Sequence, residues 1–130
     1  AITDANAAAN PPHTINFNIA PAGAKTIQPS TILPLVGAGI TIDGSTQPGT
    51  VNGVGILIDG AAISFPSVGL VVNGSNSTVR GIAIGRCQPY ALQINNVTGC
   101  KVEGCYIGLA PDGTTARPNA AGIRVLGDSN

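Results

Sequence analysis

The sequence has no Trp and no Met, and only two Phe and two Tyr among its 130 residues. This is far from the usual composition of a helical enzyme. Charged residues are also scarce, with six basic and six acidic side chains spread thinly along the chain. This balance argues against nucleic acid or an anionic membrane as a partner, because both require clustered Lys and Arg. No apolar run approaches the roughly 18 residues that a membrane span requires.

Gly and Pro are abundant instead, at 18 and 10 residues, and they predict a chain dominated by turns. The apolar residues are mostly Ile, Val, Leu and Ala, and the β-branched members suit a pleated sheet packed on one side. The length fits one domain with a modest core. A start at Ala1 and the absence of Met favour a processed product or an excised segment over a complete reading frame.

One short apolar phrase recurs through the chain. It first appears as GITIDG, and a second set of similar phrases runs between its copies. The first set occupies residues 39–44, 69–74, 91–96 and 122–127, and the second set occupies 55–60, 81–85 and 104–108. Two strands in each irregular period of roughly 20 to 30 residues are typical of a solenoid.

Each phrase alternates with period two, so every second side chain should face the inside. If successive coils stack as parallel strands about 4.8 Å apart, the inward residues form continuous ladders. The predicted ladders are Ile40, Leu70, Leu92 and Ile123, and beside them Ile42, Val72, Ile94 and Val125. The pattern therefore predicts an all-β fold, a parallel β-helix of about four to five coils.

A short third strand in each coil is predicted by the alignment of TVRG with the later KVEG. Val79 should lie over Val102 inside, and Arg80 over Glu103 outside as an exposed ion pair. An antiparallel sandwich is the alternative, because it also has short strands at regular spacing. Uneven loop lengths combined with constant phrases favour the solenoid.

Several stretches resemble a known family of repeats. They are TIDGSTQPGT at 41–50, NSTVRGIAI at 76–84 and VEGCYIGLAPDGTTARPNAAGIRV at 102–125. These stretches look like right-handed parallel β-helix modules of the pectate-lyase-like superfamily, as found in large secreted bacterial proteins. The opening AITDANAAANPPHTINFNI is similar to the amphipathic segment and first strand that begin such modules. The resemblance implies an extracellular or cell-surface location and a bacterial source, and it is not specific to an activity.

The two ends of the chain differ in pattern. Residues 1–12 are predicted to be an N-terminal capping segment with a short helix that ends before Pro11 and Pro12. The β-helix domain should then occupy residues 13–130. Beyond the strand in GIRVLGDSN, the sequence contains no further coil, so the last coil should have an open edge. Two explanations remain: a longer β-helical chain, or head-to-tail self-association into a filament.

The resemblance also implies a test for catalysis, because pectate lyases and polygalacturonases place acidic residues with Arg or Lys on one outer face. This sequence departs from that pattern: the outward positions of the first set are Thr41, Val71, Gln93 and Arg124. Asp43 and Asp59 are the carboxylate pair that can be proposed, as a calcium or catalytic site. Each precedes Gly, however, which is a strong turn signal. No other cofactor is predicted, and His13 is expected to be a boundary residue rather than a general base.

The longest outward loop, residues 109–120, is the best candidate for a contact surface. Its polar residues are Asp112, Thr114, Thr115 and Arg117. Because PDG is itself a turn signal, a purely structural loop is the alternative. Tyr90 and Tyr106 are the aromatic residues that could bind a glycan.

The three cysteines have different predicted environments. Cys105 replaces an inward Ile of the repeat and should be a buried thiol. Cys87 and Cys100 lie at turns near neighbouring coils, where a disulfide between them is one alternative. No Cys or His spacing indicates zinc.

These patterns favour a non-catalytic structural module or subunit of an extracellular or cell-surface structure. Its expected partners are further coils, supplied by a longer chain or by self-association, with extracellular polysaccharide as another partner class. The rival functions are a polysaccharide lyase or hydrolase and a glycan-binding, adhesin-like module.

Overall fold

The computed structural model describes residues 1–127. In this part of the chain, short runs of aliphatic residues form eleven strands, and one helix precedes them. The runs are short because Gly, Asn and Pro residues end them at each corner. The elements are α1 Ile2–Ala7, β1 His13–Asn16, β2 Lys25–Ile27, β3 Ile40–Asp43, β4 Ile56–Asp59, β5 Leu70–Val72, β6 Thr78–Arg80, β7 Ile82–Gly85, β8 Leu92–Asn95, β9 Lys101–Glu103, β10 Tyr106–Ile107 and β11 Ile123–Leu126.

The strands stack into three parallel sheets, which are the faces of a β-solenoid of about four turns. The first face contains β1, β3, β6 and β9, the second contains β2, β4, β7 and β10, and the third contains β5, β8 and β11. In the first coil, Val36 extends the third face through a parallel bridge to Val72. Each coil therefore adds one strand or bridge to every face, and the predicted parallel β-helix is confirmed.

The predicted ladders are confirmed on the third face. Leu92 lies between Leu70 and Ile123 in register, and the neighbouring inward positions Val72, Ile94 and Val125 stack in the same way. The second set of phrases also stacks as predicted, because β4, β7 and β10 are neighbours on the second face.

The prediction was wrong for Ile40 and Ile42, which do not belong to these ladders. Strand β3 lies on the first face, where Ile42 stacks between Ile15 and Val79. All three faces need the same alternation of apolar and polar residues, so similarity to the phrase at 69–74 could not identify the face. The alignment of Val79 with Val102 is confirmed, since β6 pairs with β9 in that register.

The core is the column of inward aliphatic side chains enclosed by the three faces. Ile56, Ile82 and Leu92 are completely buried, and the burial continues through the second and third coils. The fourth coil differs, because Ile123 is 45% exposed and Val125 is 49% exposed. Inward-facing residues of the fourth coil therefore have neighbours below them and none above them within residues 1–127.

Corners between strands are tight enough to select glycine. Gly81 alone separates β6 from β7, and its φ of 63° lies in the left-handed region. A Cβ at this position would lie 2.5 Å from the backbone nitrogen of Ser45 in the coil below. This corner brings the first and second faces of the third coil together with a single residue.

Candidate functional site

Asp43 and Asp59 end strands on two different faces of the second coil, and each begins a single 3₁₀ turn. Oδ1 of Asp43 accepts a hydrogen bond from the backbone N–H of Ser45 at 3.1 Å, and Asp59 accepts one from Ala61 in the same way. The predicted turn function of both Asp-Gly pairs is therefore present in the structure.

Each of these aspartates also binds an arginine of the third coil. Nε of Arg80 donates to Oδ2 of Asp43 at 2.8 Å, and Nε of Arg86 donates to Oδ1 of Asp59 at 2.8 Å. The carboxylates are almost completely buried, whereas the two arginine side chains are about half exposed. The guanidinium groups thus cover the carboxylates from the solvent side.

The arginines keep both aspartates ionised. Burial alone would raise the pKa of Asp43, but hydrogen bonds from Arg80 and Ser45 outweigh it and hold that pKa below its usual value. At Asp59, burial is likewise outweighed by the hydrogen bonds from Arg86 and Ala61, so its pKa is also lowered. A carboxylate that resists protonation and is already paired is a poor proton donor or acceptor near neutral pH.

The structure does not bring the two aspartates together as a metal site. They lie on the first and second faces, and no group of three His, Cys, Asp or Glu side chains forms a potential metal site within residues 1–127. Calcium usually takes six to eight oxygen ligands. Each carboxylate instead has a guanidinium group as its principal partner.

The ion-pair partner of Arg80 was predicted incorrectly. The register does place Glu103 beside Arg80, but the salt bridge of Arg80 is to Asp43 in the coil below. The sequence prediction missed this partner because it assigned β3 to a different face.

The loop at 109–120 is organised by Asp112. Its Oδ1 accepts backbone hydrogen bonds from Thr114 and Thr115, both at 2.8 Å, and Oδ2 accepts the hydroxyl of Thr115. These hydrogen bonds, that of the Thr115 hydroxyl first, lower the pKa of Asp112 well below its usual value. Arg117 lies elsewhere: its charge contributes to the lowered pKa of Asp59. The polar residues of this loop therefore form an internally bonded turn rather than one convergent site.

The two tyrosines are also engaged in contacts within the chain. The guanidinium carbon of Arg124 lies 5.2 Å from the ring centroid of Tyr90, a cation–π contact between neighbouring coils. Tyr106 packs against an outward apolar cluster on the second face, formed by Val54, Leu57 and Ala83. The structure does not combine the two rings into one platform for a sugar.

The cysteines are thiols in the structure, so the alternative of a Cys87–Cys100 disulfide is not present. The Cys87 thiol hydrogen-bonds to the carbonyl of Gly85, whereas the Cys100 thiol contacts the carbonyl of Gly74 at another corner. Cys87 is completely buried, and burial raises its pKa to about 11. Cys105 is partly buried against the core, close to its predicted environment.

Two buried carboxamide groups that the sequence analysis did not single out link neighbouring coils. Gln47 is 1% exposed, and it bonds both backbone groups of Ile19 and the carbonyl of Gly23. Asn119 accepts from the backbone N–H of Cys87 and donates to the carbonyl of Ile84. Each bonds backbone groups far away in sequence, so no local pattern could have identified it.

A third carboxamide closes the lower edge of the third face. Nδ2 of Asn6 donates to the carbonyl of Leu35 at 2.7 Å, and its Oδ1 accepts the N–H of Gly37 at 2.9 Å. Val36 between them uses its own N–H and C=O to bond the coil above. Asn6 therefore occupies the position that a peptide group of a lower strand would take.

Helix α1 also covers part of the space below the first coil. Ile2 and Ala5 pack against the core, and the helix contacts β1. A half-open cavity of about 290 Å³ remains beneath the helix, with aliphatic residues and Phe17 as most of its lining. The cavity has no set of convergent polar groups that would orient a ligand.

The opposite end has no such closure in the described residues. Strands β9, β10 and β11 are the last strands of the three faces, and nothing within residues 1–127 pairs with their upper edges. The carbonyls of Gly122 and Leu126 accept hydrogen bonds from Leu92 and Asn96 below. Because peptide directions alternate along a strand, the N–H and C=O groups of Ile123 and Val125 point away from the third coil.

Comparison with protein-family models, curated proteins and solved structures found no significant match to this chain. None of the described helices has the length and hydropathy needed to cross a membrane. The solenoid geometry and its two unlike ends are therefore the observations from which a function can be argued.

Proposed function

We propose that this protein is a non-catalytic structural module or subunit of an extracellular or cell-surface structure, joined to further β-strands through the upper edge of its fourth coil. The observation that carries this proposal is the contrast between the ends. Asn6 closes the lower edge of the third face, whereas the upper edges of β9, β10 and β11 have no strand partner in the described chain.

Exposed core residues support the same end as the functional one. Side chains such as Ile123 and Val125 continue buried ladders but are themselves nearly half exposed. Covering them with another coil would remove apolar surface from water and pair the open backbone groups. An uncovered, aliphatic edge is a known template for strand addition.

The contacts of the polar candidates support a role without catalysis. The two aspartates are paired with arginines, Asp112 is bonded within its own loop, and Tyr90 is covered by Arg124. These side chains stabilise turns and link coils, which is the work expected of a scaffold.

The proposed location and origin depend on the resemblance in the sequence. The repeats resemble pectate-lyase-like modules of secreted bacterial proteins, and a parallel solenoid is the fold that this resemblance implies. We therefore place the module outside a bacterial cell or at its surface, with further coils of a rod or of another molecule as partner.

A direct test is to offer the protein pectin, alginate and related polysaccharides, with and without calcium. Lyase activity would produce unsaturated sugars that absorb in the ultraviolet, and hydrolysis would produce new reducing ends. We expect neither product and no saturable binding. Turnover that disappears in the variants Asp43→Asn or Asp59→Asn would contradict the proposal and support the enzyme, whereas saturable binding without turnover would support a glycan-binding module.

A further inference from the structure

The lower end of the solenoid is unsuited to receive another molecule's fourth coil. On the third face, the two outward backbone groups of the first coil, at Leu35 and Gly37, are already bonded to Asn6. On the first face, helix α1 contacts β1. Head-to-tail stacking would have to displace these contacts before any new strand could pair.

The first face has an alternating column of charge that continues to its upper edge. Asp43, Arg80 and Glu103 occupy successive coils in register, so the column runs negative, positive, negative. Beside it, the exposed residue of the fourth coil is Lys101, and Val102 lies between the two charges. The open edge of β9 thus presents one positive and one negative side chain around an inward Val.

The backbone of β9 fixes which peptide group is available for pairing. The N–H of Lys101 donates to the carbonyl of Ser77 in the coil below at 2.9 Å. The alternation of peptide directions therefore turns the N–H and C=O of Val102 toward the open edge. In an antiparallel sheet, two residues that face each other in this way exchange both hydrogen bonds.

We propose that the partner on the fourth coil is a second copy of this chain, related by a two-fold axis, with β9 antiparallel to β9 of the second copy and centred on Val102. This inference rests on the proposed function, because it names what covers the open edge. The two-fold arrangement places Lys101 opposite Glu103 of the second copy, and Glu103 opposite its Lys101. The strand is therefore complementary to itself when it is reversed.

The same arrangement extends the charge column by one more alternation. Glu103 gains a positive neighbour above it, in addition to Arg80 below it. Opposite charges that face each other across strands are stabilising, and like charges are destabilising. A head-to-tail stack would instead place Thr14 and Asn16, the exposed residues of β1, over Lys101 and Glu103. Charge complementarity therefore favours the two-fold contact over the filament.

The contact also covers the other two faces of the fourth coil. Rotation about the centre of β9 exchanges the second and third faces, so β10 of each molecule lies over β11 of the other. Ile107, Ile123 and Val125 would then be buried between the two molecules. Because the same surface is used by both copies, the assembly is closed at two chains.

The test is sedimentation velocity of the full chain over a range of concentrations, with charge-exchange variants. We expect a monomer–dimer equilibrium in the unchanged protein. Lys101→Glu and Glu103→Lys each create two like-charge contacts, so each should weaken the dimer about tenfold. The double variant restores opposite charges with the order reversed, and it should recover the dimer. Asp4→Lys is the control, because it changes net charge by the same amount as Glu103→Lys at the closed end.

Several outcomes would overturn the two-fold contact. A monomer at all concentrations would show that a second copy is not the partner, and species larger than a dimer would indicate stacking of unlike ends. A double variant that is weaker than either single variant would show that the two charges do not face each other. The absence of a dimer without polysaccharide turnover leaves the structural role intact, whereas turnover contradicts that role whether or not a dimer forms.

Discussion

The ladder of the third face predicts unequal costs for the same type of deletion at two heights. Leu92 is completely buried between Leu70 and Ile123, whereas Ile123 is 45% exposed at the top of the ladder. Truncating Leu92 to Ala removes side-chain carbons from a closed environment and leaves a cavity. Truncating Ile123 to Ala removes carbons that already contact water on one side.

The expected magnitudes follow from these exposures. A fully buried Leu→Ala change costs about 2 to 5 kcal/mol, so we expect about 3 to 4 kcal/mol for Leu92→Ala. For Ile123→Ala, roughly half of the transfer term remains and no closed cavity forms, which gives about 1 to 1.5 kcal/mol. With the usual unfolding entropy per residue, the loss at Leu92 should lower Tm by about 10 °C or more.

Urea denaturation of dilute protein, followed by circular dichroism, measures both costs. Dilution matters because a second copy on the fourth coil would bury Ile123 and increase its contribution. A cost for Ile123→Ala equal to or larger than that for Leu92→Ala would refute the ladder order. A cost below about 1 kcal/mol at Leu92 would show that this residue is not enclosed as described.

Three further predictions concern the polar contacts. Asp59→Asn keeps the side chain's shape but removes the charge bound by Arg86, so we expect a loss of about 1 to 2 kcal/mol by urea denaturation, discounted because Arg86 is half exposed. The pKa of Asp59 is lower in the folded protein, so this difference should be complete above about pH 5 and should shrink as the pH falls through that lowered pKa. Asn6→Ala removes two hydrogen bonds and should cost about 1 to 2 kcal/mol, with faster amide exchange at Gly37. Cys87 should resist a thiol reagent at pH 8 in the native protein, because it is buried and its pKa is raised to about 11.

Matched controls separate these effects from general damage. Asp4→Asn removes an exposed carboxylate and should change stability little, whereas equal losses at Asp4 and Asp59 would contradict the role of burial. Asn16→Ala is the exposed counterpart of Asn6→Ala, and the two should differ. For Cys87, mass spectrometry after urea should locate the label, and rapid labelling in native buffer would contradict its burial.

The repeat and the parallel solenoid were predictable because strand alternation and turn residues are local features. The inward positions of β5, β8 and β11 follow directly from their phrases. The face of β3 was not predictable, since the connection after Asp43 is longer than the one after Arg80 and every face has the same alternation. The misplacement of β3 in turn hid the pairing of Asp43 with Arg80.

The ends could be predicted only in outline. A capping segment before Pro11 was expected, and helix α1 lies within it. The closure by Asn6 was not predictable, because its hydrogen-bond partners at Leu35 and Gly37 are 29 and 31 residues away. A carboxamide that replaces a peptide group has no local signature, and its role follows from the stacked coils alone.

Residue-resolved amide exchange of the dilute monomer tests the central claim, that one end of the solenoid is closed and the other open. We predict slow exchange at Gly37, which is bonded to Asn6, and at Lys101, which is bonded to the coil below. The amides of Val102, Ile123 and Val125 should exchange near the rate of an unstructured chain. Fast exchange at Gly37, or protection of these three fourth-coil amides in the dilute monomer, would contradict the account.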